Sequence, residues 1–363
     1  MPGGLELKKE VIKTSSCSLC GACLDWCPYI KNLEDHLVIP FECQQQDGRC
    51  YSVCPRTFTD WEAIQSTLFK DMPALEIGPV ESIYMAKRGA AIEGQQNGGT
   101  VTTLLRIALQ QQADTAAIVT GYSNSAIPVP VLVDDVAELN NSMGSRFLSA
   151  PSLKKLVEAR QRGVKRLITV GRPCQIQALR KAQYKYPEAL PEEVIAVGLF
   201  CMWSLNWSFL RDFNTEYPGH TIQRIEIPQH GVEIHTDQGT IEVPNDKIRA
   251  YIRKGCHYCL DMTSELADIS VGAYEIQPEW NTVIVRTAMG RDLLAAASQE
   301  ELLLKQYPEE ELERLKKASY NKKKRNLMVI KEAVDNQGLK PFIDLSQERY
   351  QQLLASQEGQ VEN

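Results

Sequence analysis

Residues 17–28 read CSLCGACLDWCP, and residues 43–55 read CQQQDGRCYSVCP. The first stretch sets Cys17, Cys20, Cys23 and Cys27 in the order CxxCxxCxxxCP. Three thiolates spaced by two residues can wrap three irons of one cubane, while the fourth, set off by a longer spacer and a proline turn, reaches a second cluster. Gly21 lets the backbone pass close to the sulfides. Zinc is the competing ion, but zinc sites pair two CxxC knuckles across a long spacer instead of stacking four cysteines in one run.

The second stretch ends on Cys54-Pro55 in the manner of a two-cluster ferredoxin, yet it holds only three cysteines, Cys43, Cys50 and Cys54. Counting three residues back from Cys50 reaches Asp47, where a thiol belongs. Three arrangements fit this gap. The carboxylate of Asp47 can act as a hard ligand beside Cys27, Cys43 and Cys50; water or a distant side chain can complete the cluster; or the site can hold three irons. Asp47 also reads as a plain turn residue, because Asp-Gly is a common turn pair.

The 363 residues are 43% apolar, enough for one large and one small domain. With 40 basic and 46 acidic side chains, the chain has no basic field to draw nucleic acid or an anionic membrane. Its longest apolar run, residues 194–203, is interrupted by Gly198 and has the length of a buried strand, well short of the roughly 18 residues a bilayer span needs. No apolar segment follows the basic residues of the N-terminus, so a secretory signal is not expected and a cytoplasmic location is. Eleven cysteines in clustered spacings then point to metal, not disulfides.

Residues 57–76 read as a helix, and the prolines at 73 and 79 mark a domain boundary. Beyond Glu81, apolar strands alternate with amphipathic helices. Val101, Leu104, Leu105 and Ala108 make a helical stripe within residues 100–111; residues 152–162 form a second helix stopped by Gly163; AAIVTG and VKRLITVG are strands. IQRIEIP, GVEIHT and GTIEVP alternate with period two and predict an antiparallel meander. Residues 300–333 read as helical, and the tail SQEGQVEN as polar and disordered. The expected fold is α+β / α/β: an N-terminal two-cluster ferredoxin-like module over 1–77, a mixed α/β domain with an antiparallel meander over 78–335, and a C-terminal helix and polar tail over 336–363.

Two further features bear on chemistry. Asn97-Gly98-Gly99-Thr100 stands before a helix, where free backbone N–H groups can meet a phosphate, although a plain turn explains it equally well. No GxGxxG follows a strand, which argues against a Rossmann dinucleotide site. Cys174 begins a helix after a strand, Cys201 ends a strand, and Cys256 and Cys259 form a CxxC. Strand ends of an α/β sheet gather on one edge, so these four can hold another cubane or serve as packing residues.

QNGGTVTTLLRIAL, GSRFLSAP, VGRPCQIQALRK, GLFC and CHYCLDMTSELADISVG, in this order, resemble the coenzyme F420 hydrogenase/dehydrogenase beta-subunit family over residues 80 to 300. The resemblance implies an FAD-binding domain with a nearby [4Fe–4S] cluster held by Cys174, Cys201, Cys256 and Cys259. It also implies flavin contacts at Asn97, Gly98, Gly99, Thr100 and Thr102, with Gly144, Ser145 and Arg146 as neighbours. The missing cysteine of the second motif departs from the family's fused ferredoxin pattern. An electron-transfer subunit is therefore expected, with two or three [4Fe–4S] clusters and FAD, serving a two-electron carrier such as F420 or NAD(P). Its partner would be a metalloenzyme subunit of hydrogenase or dehydrogenase type, or ferredoxin. The alternatives are a stand-alone ferredoxin-dependent reductase, like those of chlorophyll metabolism, and a redox-sensing or structural iron–sulfur protein. The basic residues Lys316, Lys317 and 322–325 read as a solvated helix face or a surface that steers an acidic partner.

Overall fold

The computed structural model describes residues 2–69, 76–90, 95–123, 126–227 and 231–355. The end of the helix expected over 57–76, with Pro73, and the tail from 356 lie outside the described residues. Within them that helix runs Trp61–Phe69.

The N-terminal module is small and irregular. A helix at Gly4–Leu7 continues as a π-turn at Lys8–Ile12, a two-stranded hairpin joins β1 (Lys31–Leu33) to β2 (His36–Val38), and a single helical turn spans Arg49–Ser52. Leu7, Val11, Leu19, Leu24, Ile30, Leu37 and Ile39 pack around Cys23, Cys50 and Cys54 as its own core.

The large domain is built on an eight-stranded mixed sheet. Its strands are β3 (Ser82–Arg88), β4 (Thr115–Tyr122), β5 (Pro128–Val133), β6 (Arg166–Gly171) and β7 (Glu193–Leu199), followed by β11 (Ile269–Ala273), β12 (Asn281–Val285) and β13 (Leu302–Gln306). The order is β13-β3-β12-β11-β7-β6-β4-β5. The centre, β11-β7-β6-β4, is parallel, and antiparallel strands close both edges. Because side chains alternate across a strand, a sheet covered on both faces is expected to read as a near-continuous apolar run. β6 and β7 obey this: Leu167 and Val194 join one core while Ile168 and Ile195 join the other. Helices Lys155–Gln161 and Pro173–Lys185 cover the first face, and Thr100–Gln111 and Ala288–Glu300 the second. Residues 194–199 of the apolar run are thus central strand β7, which stops two residues short of Cys201 instead of ending on it as expected.

The meander also forms as expected. β8 (Ile222–Glu226), β9 (Val232–Thr236) and β10 (Gly239–Val243) make a three-stranded antiparallel sheet that packs on Phe209 and Phe213. Residues 300–333 are a correction. Leu302–Gln306 is strand β13, paired antiparallel with β3, and the helix begins only at Glu309 and runs to Gln337. Leucine-rich LLLKQ has ordinary helix propensity, but a neighbouring edge strand supplies hydrogen bonds that override it.

That long helix also corrects the reading of its basic run at Lys322 and Lys323, while Lys317 and Arg325 are exposed as expected. Ser319, Lys322, Asn326, Leu327, Ile330 and Ala333 form its buried face, and Lys322 is 1% exposed. Lys323 is paired with Glu265. Among the described residues, no helix is long and apolar enough to cross a membrane.

The N-terminal module docks directly on the sheet domain. Cys20, Ala22, Val53, Ile64 and Phe69 belong to the same core cluster as Ile118, Leu167 and Val194. Asp35 receives Arg253 Nη1 at 2.7 Å and the Trp207 backbone N–H at 3.0 Å, with Asp35 and Arg253 both buried. Gln177 Nε2 donates to Thr59 Oγ1 at 3.1 Å, and the Leu153 N–H to the Cys20 carbonyl at 3.1 Å. Gly21, at φ +90°, lies so close to Pro151 that a Cβ would sit 2.3 Å from its carbonyl oxygen.

Two glycine substitutions separate this close approach from simple backbone strain. Gly163 has φ +69° and open space around it, so Gly163→Ala should cost about 1 kcal/mol. Gly21→Ala adds a clash with backbone and should cost about 2–4 kcal/mol. Urea midpoints of the two variants measure the difference; equal losses would show that the docking seen at Gly21 is not tight.

Candidate functional site

Two cavities, each walled by four cysteines, lie where the module meets the sheet. Cys17, Cys20, Cys23 and Cys54 line the first, with Leu7, Val11, Leu37 and Pro55. Cys174, Cys201, Cys256 and Cys259 line the second, with Arg56, Arg172, Ser204 and Lys322. Ser18 borders both. The fourth cysteine of the first cavity comes from the second motif, the crossing that the Cys-Pro ending suggested.

Sequence and topology explain the second cavity. Parallel neighbours β6 and β7 end side by side; β6 leads through Arg172 into the helix Pro173–Lys185 with Cys174 in its first turn, and β7 leads to Cys201. A helix N-terminus favours an anionic ligand there. The Cys201 N–H donates to the Met262 carbonyl at 2.8 Å, which draws the segment bearing Cys256 and Cys259 to the same edge. Those two sit around a short 3-10 turn, Lys254–Tyr258.

The remaining cysteines form a third group: Cys27 and Cys43 are electrostatic neighbours of Cys50. Asp47 is exposed in the loop between Cys43 and Cys50. Gly48 follows it, close enough to Cys50 that a Cβ would lie 3.1 Å from its sulfur.

The cysteine geometry is wrong for a single ion. Tetrahedral zinc, with Zn–S near 2.3 Å, holds its sulfurs about 3.8 Å apart. Among the described residues, no three cysteine sulfurs lie within 4.8 Å of one another. One trio does converge so closely, Glu226, Glu233 and His235 on the meander, but Arg224 already pairs with Glu226 at 3.4 Å.

Burial makes the bare thiols poor acids. It pushes Cys20 and Cys23 well above the usual thiol range, Cys54 to about 11, and Cys50 and Cys201 to about 12, with neighbouring cysteines adding to the effect. Only strong cationic centres can hold so many sulfurs as thiolates in such surroundings.

Buried cations surround these sulfurs. Lys181, on the helix that starts at Pro173, donates to the carbonyls of Cys54 at 2.6 Å, Phe58 at 2.9 Å and Thr57 at 3.1 Å. Burial lowers its pKa to about 7, against the pull of Cys54. Arg56 Nη2 donates to the Gly255 carbonyl at 3.0 Å. Lys322 donates to the carbonyls of Cys201 at 2.6 Å and Asp261 at 2.7 Å, and its Nζ is 4.0 Å from Cys259 Sγ. One turn on, Asn326 Nδ2 bonds the carbonyls of Cys259 at 2.8 Å and Cys256 at 3.2 Å. Sequence reasoning missed all four. The signal available was the row Ser319, Lys322, Asn326, Ile330, spaced three and four apart on one helix face.

The predicted flavin residues fall in two loops that touch. Asn97, at φ +55°, and Gly99, at φ +67°, turn the chain into the helix Thr100–Gln111, with Thr102 half-buried in its first turn. Gly98 packs on Asn281, where a Cβ would lie 2.5 Å from Oδ1. Gln96 Oε1 accepts the Ser145 N–H at 2.7 Å, joining this loop to Gly144, Ser145 and Arg146. Arg146 lies over the Tyr122 ring at 3.5 Å, and its Nε is buried without a partner among the described residues. An unpartnered guanidinium N–H beside a glycine turn at a helix start suits a phosphate. Two residues further on, Leu148 bridges to Leu205, which follows the Ser204 hydroxyl, buried and unpartnered among the described residues, at the edge of the second cavity.

Comparison with known proteins places this architecture. Residues 83–157 match the family model for the N-terminal part of the coenzyme F420 hydrogenase/dehydrogenase beta subunit, and residues 164–311 match the model for its C-terminal part. The chain is 32% identical over 212 residues to a coenzyme F420 hydrogenase subunit beta of Methanosarcina barkeri, covering 56% of this chain and 72% of that one. It is 27% identical over 322 residues to a coenzyme F420-dependent sulfite reductase of Methanocaldococcus jannaschii, covering 80% of this chain and 47% of the relative. The chain thus spans about half the length of that reductase. Among solved structures, a chain of the F420-reducing [NiFe] hydrogenase complex from Methanosarcina barkeri superposes with a TM-score of 0.65 at 29% identity, covering 71% of this chain and 93% of that one. The relatives named as enzymes or enzyme subunits are oxidoreductases, and the two family models together take in more than half of the sequence. The chain belongs to the coenzyme F420 hydrogenase/dehydrogenase beta-subunit family.

Proposed function

We propose that this chain is a flavo-iron–sulfur electron-transfer subunit of an oxidoreductase complex. Cys17, Cys20, Cys23 and Cys54 hold one [4Fe–4S] cluster, and Cys174, Cys201, Cys256 and Cys259 another. Cys27, Cys43 and Cys50 hold a third centre, with Asp47 as its candidate fourth ligand. Asn97–Thr100, Thr102 and Gly144–Arg146 bind FAD. When bound, clusters carry single electrons and a flavin exchanges them for pairs, so a carrier such as F420 or NAD(P) can be served.

One observation carries this reading. Arg56, Lys181 and Lys322 are buried around the two four-cysteine cavities, and among the described residues none has a carboxylate at ion-pair distance, Lys322 having only the more distant Asp261 carboxyl near it. A buried cation with no close counter-ion costs several kcal/mol, a cost visible at Lys181, whose pKa burial lowers to about 7. A cubane held by four thiolates is a net anion, so the cavities supply the missing negative charge only when filled.

The chain's own groups then divide the work. Lys181 and Asn326 fix the backbone of the ligand loops, and Lys322 stands beside Cys259, where a hydrogen bond to sulfur raises a cluster's potential. Leu7, Val11 and Leu37 keep water from the first cavity. Arg146 offers a fixed cation to a flavin's phosphate or to its reduced ring. Donor and acceptor are a partner metalloenzyme subunit or ferredoxin. The Methanocaldococcus relative, a reductase in its own right, keeps open a reading in which similar parts feed a substrate site directly.

Anaerobically purified protein should contain roughly 8–12 irons per chain with matching sulfide, and FAD. It should be bleached by reduced F420, by NADH or by reduced ferredoxin. Protein with zinc and no flavin would end this reading.

Lys322→Met should leave the iron content unchanged and shift the potential of the second-cavity cluster downward, by several tens of millivolts as an order of magnitude. Potentiometric titration checks this; an unmoved potential means that the ammonium does not act on the cluster.

The cluster-free chain gives a pH test. At pH 8, thiols raised to about 12 carry roughly a thousandth of the thiolate of an unfolded thiol near 8.5. Iodoacetamide should therefore label Cys201 at least about a hundredfold more slowly in the folded chain than in urea. The folded rate should keep rising about tenfold per pH unit up to pH 11, after the unfolded rate has levelled off. Equal rates would contradict the burial of these thiols.

A further inference from the structure

Arg56 occupies an unusual place. It follows Cys54 and Pro55, which line the first cavity, and its own side chain lines the second. The residue is 5% exposed. Its guanidinium donates to carbonyls alone, Nη2 to Gly255 at 3.0 Å and Nη1 to Pro55 at 3.4 Å, while Nε is buried with no partner among the described residues and the backbone N–H donates to Cys54 Sγ at 3.4 Å. The Phe342 ring lies under the guanidinium at 5.6 Å. The groups that favour its charge are cysteines from both sets: Cys259, Cys174 and Cys256 on one side and Cys54 on the other.

The bond to Gly255 also links the two ligand sets by a short path. From Cys54 it runs through Pro55 and Arg56, crosses one hydrogen bond, and enters Gly255 and Cys256. The backbone there is pinned: a Cβ on Gly255 would fall 2.5 Å from the Ser16 carbonyl oxygen and 2.6 Å from that of Cys17. Arg253 Nη2 reaches the same Cys17 carbonyl at 3.4 Å.

We infer that Arg56 is a positioning residue that serves as the shared counter-charge of the two cavities and as the hydrogen-bonded link between their ligand loops. This rests on the reading that both cavities hold iron–sulfur clusters. A cation placed between two centres stabilises the reduced, more negative state of each. It also offsets part of the repulsion between two adjacent anions. Arg56 lies outside the residues matched by either family model, so the device belongs to the join between the N-terminal module and the family domain. Lysine can keep the charge but cannot reproduce the planar fork that reaches both Pro55 and Gly255.

The test compares full-length wild-type, Arg56→Gln and Arg56→Lys proteins, purified without oxygen, by iron and sulfide content and by potentiometric titration followed with electron paramagnetic resonance. With iron retained, Arg56→Gln should shift the midpoint potentials of both centres downward together, and Arg56→Lys should restore most of each shift. Potentials that do not move, or movement of one centre alone, would overturn the shared role. If Arg56→Gln cannot retain iron, Arg56→Lys decides: iron held near wild-type potentials supports the charge, and iron lost in both variants overturns it. Wild-type protein without iron would instead defeat the cluster reading beneath.

Discussion

Two backbones touch with no side chain between them where Gly255 rests on Ser16 and Cys17. This contact fixes the distance between the cysteine run of the N-terminal module and the CxxC of the sheet domain. Around it, beside the shared apolar core, lies a set of buried polar contacts: Asp35 with Arg253, Lys181 with the carbonyls of residues 54, 57 and 58, Gln177 with Thr59. Such a surface has no low-energy alternative, because each displaced donor would be left unsatisfied in the interior. The two cavities are therefore parts of one packed body and share Ser18 as a wall.

The parallel centre of the sheet supplies the other half of the arrangement. β6 and β7 are apolar on both faces, so they are locked in register between two helical layers, and their ends present Cys174 and Cys201 side by side. From the same side, the loop of Gly144–Arg146 runs through Leu148 to Leu205, next to Ser204. The candidate flavin loop and the candidate cluster cavity are thus separated by a few residues of regular backbone pairing. Rigid spacing of this kind suits electron transfer, which needs fixed distances more than moving parts.

Much of this was legible in the sequence because the chemistry is local. Three of the first four cysteines, and the crossing of Cys54, follow from spacing and proline turns; the helix Thr100–Gln111 and the meander follow from periodicity. The strand Leu302–Gln306 did not, since its identity comes from pairing with β3 across two hundred residues. Lys322 was hidden in a run of basic residues that looks solvated, and Lys181 and Arg56 in stretches with ordinary surface composition. No local pattern marks a cation as buried; that depends on which anion or carbonyls the fold brings to it. Asp47 stays where sequence left it, in an exposed loop between two cysteines.

Charge balance ties these parts together: buried cations with no carboxylate at ion-pair distance among the described residues, set beside sulfur-lined cavities, support the reading in which anionic centres lie side by side. The most direct measurement is electron paramagnetic resonance of the fully reduced, oxygen-free protein. Centres in cavities that share a wall must give broadened, spin-coupled spectra, which become simpler when Cys256→Ala disables one of them. Sharp, independent signals from the intact protein, or no iron-based signal at all, would contradict the arrangement described.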